Sequence, residues 1–275
     1  MAGKTGYRSS KVAACLLVQR GKSQASLRVM STVPRAILLA AGLGSRMRPL
    51  TDTIPKPLLT LGGRALLDHA LDRLAASGAT EVVVNAHWHA DKLATHLARR
   101  EAPPATILRH EDALLDTGGA VVAALGEGLL GQDGAPFFVV NSDSVWLDGP
   151  LPTLKRMHIA LRPDLDAVIL VHRTFQVHAD IGYGDFFLDS WGAPRRRRER
   201  EIAPYIYAGS TLARPVLFDG FTEMAVSMNQ VWDKAIAGRR IVAVVHDGLW
   251  FHLTRPDDLA EAEYALAAQL TGPTT

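Results

Sequence analysis

Residues 38–57, LLAAGLGSRMRPLTDTIPKP, constrain this chain more than any other segment. The apolar run 35–40 reads as a buried strand, and it feeds directly into Gly42 and Gly44. Small residues there let backbone N–H groups come close to an anion, and successive N–H groups can form a nest for phosphate. Arg46 and Lys56 add mobile positive charge. Pro49, Pro55 and Pro57 stiffen the loop and reduce the entropy lost when it orders around a ligand. Two glycines alone also fit a plain strand–turn–helix connection. The loop is not a Walker motif, because no Gly-Lys-Ser or Gly-Lys-Thr follows. It is not a dinucleotide fingerprint either: the third glycine is missing, and the chain runs into prolines rather than a helix.

Beyond the loop, helical and strand patterns alternate. Helices are predicted at 66–76, at 90–100, at 120–125 directly after Gly118-Gly119, and near 154–160. Strands are predicted at 81–85, 106–109, 137–141 and 167–171. This order argues for a mostly parallel sheet with helices on both faces. From Gly182 the grammar changes to strands at 184–188 and 205–212, a helix at 229–237, a strand at 241–246 and an amphipathic helix at 256–270. The run 195–198 of four arginines reads as a solvated hairpin tip.

With 275 residues the chain is long enough for one large α/β domain. We read 34–275 as that domain, and 1–33 as a disordered or adventitious extension. The net charge of +2 suggests no nucleic-acid partner. The charge is uneven, however: no Asp or Glu precedes Asp52, whereas basic residues from Lys4 to Arg48 do. A basic front end beside a Gly-rich loop suits a polyanionic ligand. Cys15 is the only cysteine, which rules out an internal disulfide and fits a reducing cytoplasm. No apolar run approaches the roughly 20 residues of a membrane helix, so no membrane partner is expected. No internal repeat is visible, and the expected state is a monomer or small homo-oligomer.

Three further constellations carry chemistry. Asp143 follows the buried run 137–141, and a carboxylate just past the end of a strand lies at the rim where α/β sheets bind ligands. Magnesium takes hard oxygen ligands, typically one or two carboxylates plus substrate phosphates, which suits Asp143. Asp116-Thr117-Gly118-Gly119 opens a helix, where exposed N–H groups suit a polar ligand edge. Gly182-Tyr183-Gly184-Asp185-Phe186 is either a ligand element or ordinary turn chemistry.

The segment LAAGLGSRMRPLTDTIPKPLLTLGGRALLDH resembles the N-terminal signature of the sugar-1-phosphate nucleotidyltransferases. The resemblance implies the nucleotide-diphospho-sugar transferase fold: a Rossmann-like, mostly parallel central sheet with helices on both faces and a small β-rich substrate-binding insertion. It implies that Gly42, Gly44 and Arg46 line the triphosphate and that Ala40 and Ala41 approach base and ribose. Lys56 would contact phosphate during transfer, Thr117 and Gly118 the base, and Asn141 and Asp185 the sugar. Asp143 would hold Mg2+. Residues 182–186 resemble the Gly-Asp-Phe element of the uridylyltransferases acting on N-acetylmuramate 1-phosphate, which implies UTP and that sugar phosphate as partners. One position departs from the family. Where a second metal aspartate is usual, this chain has His252, and imidazole is a poor magnesium ligand. His252 is therefore only a candidate ligand, with Mn2+ as the alternative ion. Two other readings stay open: the same chemistry with GTP and mannose or heptose 1-phosphate or with dTTP and glucose 1-phosphate, and a catalytically silent nucleotide-sugar sensor.

Overall fold

A computed structural model describes residues 35–131, 134–177, 181–222 and 225–270. The extension 1–33 lies outside the described residues. In chain order the first half comprises β1 (Arg35–Leu39), β2 (Thr60–Leu61), β3 (Arg64–Ala65), α1 (Leu66–Ala76), β4 (Glu81–Ala86), α2 (Ala90–Ala98), β5 (Ala105–His110), α3 (Asp116–Gly126), β6 (Phe137–Asn141) and β7 (Ser144–Leu147). The second half comprises α4 (Thr153–Ala160), β8 (Ala167–Arg173), β9 (Phe186–Leu188), β10 (Pro194–Arg196), β11 (Tyr205–Ala213), α5 (Met228–Ala237), β12 (Ile241–Val245), β13 (Leu249–His252) and α6 (Pro256–Leu270).

The described residues form a nine-stranded sheet. Strands β6, β1, β4 and β5 run parallel to one another, β11 runs antiparallel between β6 and β8, and β12 is parallel to β8. Alternation along β1 explains the two-faced core. Ala36 and Leu38 point to a cluster with α1, α2 and α4, while Ile37 points to a second cluster with α3 and α5. Both faces of β1, β4 and β6 are thus dry, which is why they read as continuous apolar runs. The end of α1 shows how local sequence sets a boundary. Gly78 takes φ 93°, and the amides of Gly78 and Ala79 satisfy the carbonyls of Ala75 and Leu74. That closure needs a residue at ease in the left-handed region.

The predicted fold class matches this architecture, with three local differences. The helix expected at 120–125 begins at Asp116, so both glycines fall inside its first turn. The arginine run is not a hairpin tip. Pro194–Arg196 is the edge strand β10, and the tip of the β9–β10 hairpin is residues 189–192. A two-stranded ribbon of β7 and β13, not foreseen, pairs His252 with Ser144. Among the described residues no helix is long and apolar enough to cross a membrane.

Beneath the β7–β13 ribbon lies a row of rings. His172 is 2% exposed, with its centroid 5.6 Å from His246 and 5.8 Å from Trp250. Burial, reinforced by neighbouring His246, pushes the His172 pKa down to about 4. The neutral ring is therefore the folded form. The unfolded chain takes up its proton first as pH falls, so the stability from burying neutral His172 is present above about pH 6.5 and lost between there and about pH 4. The full effect is up to about 3 kcal/mol. Urea midpoints measured from pH 7 to pH 4 are expected to fall less steeply for His172→Phe than for the unmodified chain; identical slopes would contradict this account.

Candidate active site

The carboxyl ends of β1, β4, β5 and β6 all reach the same rim of the sheet, because these strands are parallel and adjacent. A cavity of about 530 Å³ opens there. Ala40, Ala41, Gly42, Gly44, Arg46, Lys56, Thr117, Asn141 and Asp143 all line it.

The loop after β1 is held from below. Gly44 takes φ 62°, and a side chain on it would meet Thr51 Cγ2 at 2.9 Å. Thr51 Oγ1 and the Met47 amide both donate to the Gly44 carbonyl, each at 2.8 Å. Met47 is fully buried against Leu61, Leu66 and Leu253, with Leu259 and Leu266 of α6 packed on the same cluster. Gly42 differs: a Cβ there would meet nothing within 4 Å. Its backbone borders open space on the cavity side, as a close-approaching ligand requires.

At one end of the cavity stands a polar relay that the sequence reading missed. The Ala40 amide donates to Asn85 Oδ1 at 2.7 Å, and Asn85 Nδ2 donates to Glu111 Oε1 at 2.8 Å. Glu111 is 3% exposed, and Arg109 Nη1 stands 3.7 Å from its carboxylate. Both Asn85 and Glu111 line the cavity. They sit at or just past strand ends, as Asp143 does, so the rule that singled out Asp143 would have found them too.

Lys56 pairs with Asp143 through Nζ and Oδ2 across the cavity floor. The pair joins the proline-rich loop to the turn after β6. His252 lies close enough for Asp143, Lys56 and Arg46 all to act on its charge. Burial is the largest influence and depresses the His252 pKa, with the Asp143 and Asp258 carboxylates opposing it. Its Nε2 shares a hydrogen bond of 2.8 Å with Thr254 Oγ1, and Thr254, not His252, is a lining residue. Among the described residues no three acidic, histidine or cysteine side chains gather as a metal cluster. Glu111, Asp116 and Asp143 are the carboxylates that line the cavity, and a single one is enough for magnesium when substrate phosphates complete the shell. The imidazole of His252 does not fit that ion as a direct ligand.

Two predicted contacts are placed differently. The amides of Gly118 and Gly119 both donate to the Val226 carbonyl, at 2.7 and 3.0 Å, and Gly118 is not a lining residue. A Cβ at Gly118 would stand 2.8 Å from that carbonyl oxygen. The glycines thus admit the backbone ahead of α5 rather than a ligand edge. Thr117 also holds that segment, its Oγ1 accepting from the Met228 amide at 3.1 Å. Asp185 lies outside the lining residues, and its Oδ2 accepts from the Tyr207 amide at 2.9 Å.

Two stability measurements check these contacts. Asp143→Ala strands the Lys56 ammonium, which is 13% exposed, and is expected to cost about 1–2 kcal/mol. Adding Lys56→Met should restore most of that loss in thermal unfolding, whereas simply additive losses would mean the two charges are uncoupled. Gly118→Ala should cost about 1–3 kcal/mol, because a backbone oxygen cannot move aside as a flexible side chain can. Unchanged stability with weakened nucleotide binding would instead return Gly118 to the ligand.

Residues 35–184 match the nucleotidyl transferase family. The N-acetylmuramate alpha-1-phosphate uridylyltransferase of Caulobacter vibrioides is 36% identical over 244 residues, covering 86% of this chain and 99% of that one. The enzyme of the same name from Neisseria meningitidis serogroup B is 32% identical over 234 residues, covering 83% of this chain and 96% of its own. In three dimensions, UDP-glucose pyrophosphorylase complexed with UDP-glucose superposes with a TM-score of 0.70 at 16% identity, over 86% of this chain and 99% of that one, which shows a shared fold. The family match extends over more than half of the chain, and the relatives align along nearly their whole length: this chain belongs to the nucleotidyl transferase family.

Proposed function

We propose that the chain transfers a uridylyl group from UTP to N-acetylmuramate 1-phosphate, releasing pyrophosphate and yielding a UDP-sugar for cell-wall recycling in the cytoplasm. The observation that carries this reading is the gathering of a glycine loop, a guanidinium, an ammonium and a carboxylate around one cavity. Similarity to two relatives of that activity over nearly their full length supports the substrates.

A sugar-phosphate oxygen attacks the α-phosphorus of the nucleotide, the bond from that phosphorus to the β-phosphate oxygen breaks, and pyrophosphate leaves. The attacking oxygen is already ionised at neutral pH, so no general base is needed. Positioning and charge neutralisation carry the step. The amides around Gly42 and Gly44 cradle the phosphates, while Arg46 and Lys56 offset charge developing on them. Asp143 would hold Mg2+, with Mn2+ as the second choice, and the ion would supply further positive charge to the phosphate oxygens. Asn141 and Asp185 would serve the sugar, and Ala40, Ala41 and Thr117 the nucleoside. Lys56 must then leave Asp143 when metal and triphosphate enter, exchanging one anionic partner for another.

A second reading, GTP in place of UTP, has one observation in its favour. The buried carboxylate of Glu111 lines the cavity, and guanine offers a carboxylate both N1–H and the N2 amino group, where uracil offers only N3–H. Pyrophosphate release from each of the four NTPs, paired with several sugar 1-phosphates, separates the readings. UTP with N-acetylmuramate 1-phosphate is expected to be fastest, and Asp143→Ala should lose about 100-fold or more in kcat. Fastest turnover with GTP would favour the second reading. Binding without turnover in either Mg2+ or Mn2+ would sink both and leave a nucleotide-sugar sensor.

A further inference from the structure

The glycine loop is gripped from a second element. Thr51 is fully buried against Gly44: its Oγ1 donates to the Gly44 carbonyl, and its Cγ2 stands 2.9 Å from where a Cβ on Gly44 would lie. The Thr51 carbonyl in turn accepts from Trp88 Nε1 at 3.1 Å. The next two carbonyls are taken in the same way. Asp52 O accepts from His89 Nε2 at 3.2 Å, and Thr53 O accepts from the Lys92 ammonium. Three consecutive carbonyls of the loop are thus bound by side chains from the connection between β4 and α2 and from the start of α2.

That connection is itself firmly placed. His89 takes φ 51°, a left-handed backbone that few residues other than glycine adopt. Such strain persists only where surrounding contacts fix it. The His89 ring packs beside Trp88, with 4.4 Å between centroids. His87 Nδ1 is bonded to the Glu111 carbonyl at 2.7 Å, which ties the connection to the end of β5. The end of β4 also grips the start of the loop, where Asn85 Oδ1 accepts from the Ala40 amide. Residues 40–51 therefore run between two grips that both come from 85–92. Within that span Gly42, Gly44 and Arg46 line the cavity, whereas Trp88, His89 and Lys92 do not. Their effect on a ligand must pass through the loop.

We propose that Trp88, supported by His89 and Lys92, is a positioning residue that sets the glycine loop for a polyphosphate. This rests on the reading of that loop as the phosphate site and deepens it. Backbone amides form an anion site only when successive N–H groups converge, and convergence is a matter of dihedral angles that a freely solvated loop does not keep. Trp88 restricts those angles at Thr51, and Thr51 passes the restriction to Gly44 through its hydroxyl and its methyl group. The loop is then ordered on folding, not when the nucleotide arrives.

The test is equilibrium binding of inorganic tripolyphosphate, UTP and UMP to the full chain and its variants. Trp88→Phe keeps a ring and removes the donor; Thr51→Val keeps the shape and removes the hydroxyl. Trp88→Phe is expected to weaken tripolyphosphate and UTP about 5- to 20-fold, while UMP, which has no β- or γ-phosphate, stays within about twofold. Thr51→Val should weaken the same ligands, and the double variant should lose little beyond the stronger single variant, because both act along one path. In turnover, KM for UTP should rise with Trp88→Phe and KM for N-acetylmuramate 1-phosphate should stay within about twofold. Equal weakening of UMP and UTP would overturn the proposal, since it would mean a general structural role. So would unchanged tripolyphosphate binding, or losses in the double variant that simply multiply. If Trp88→Phe does not fold, His89→Phe decides in its place: a smaller loss confined to tripolyphosphate and UTP supports the grip, and no loss overturns it. If the unmodified chain turns over no sugar phosphate while Trp88→Phe still loses tripolyphosphate selectively, the functional reading fails alone. If tripolyphosphate does not bind the unmodified chain, both fail.

Discussion

Parallel pairing of β1, β4, β5 and β6 is the constraint on which the rest of this molecule depends. Parallel neighbours send all their carboxyl ends to one edge of the sheet. Residues far apart in the chain, namely Ala40, Asn85, Glu111 and Asn141, therefore meet around one opening. The central positions of β1, β4 and β6 are apolar, because helices cover both faces there. Polar chemistry is displaced to the rim, and the rim becomes the site.

The site is charged and largely preorganised. A rigid loop, anchored by Met47 and α6, presents Gly42 with open space above it. The Lys56–Asp143 pair keeps the two strongest charges of the floor mutually satisfied. In such a pair neither charge is left uncompensated in a half-buried position. The antiparallel insertion of β11 does different work. It runs past the end of β6 before it meets β9, and there Ser144 Oγ donates to the Ala208 carbonyl and Asp185 accepts from the Tyr207 amide.

Position His252 illustrates how geometry and chemistry interlock. Pairing of β13 with β7 delivers it opposite Ser144, next to Asp143, where a second carboxylate would add negative charge. Burial keeps the imidazole neutral, and Thr254 engages its Nε2. Position 252 consequently adds no negative charge beside Asp143.

Local pattern in the amino-acid sequence determined the elements and their type. The runs 35–40 and 137–141, the spacing of 66–76 and the glycine at 78 are read one segment at a time, and each has a short-range cause in periodicity or backbone freedom. The same local logic singled out the glycine loop and Asp143, which line the cavity, because a polar residue that follows a buried strand needs no knowledge of other segments. Only the tertiary structure decided which groups are spoken for. Gly118 has the composition of a ligand-binding turn, yet Val226, more than a hundred residues later, takes its amide. Glu111 and Asn85 look ordinary until strand order stacks β4 beside β5. The arginines of the run 195–198 are alike in sequence, and only the fold separates Arg195 and Arg196, paired with Glu201 and Asp233, from the other two. Availability for function is set by contacts between distant segments, and strand order, which no local pattern encodes, determines those contacts.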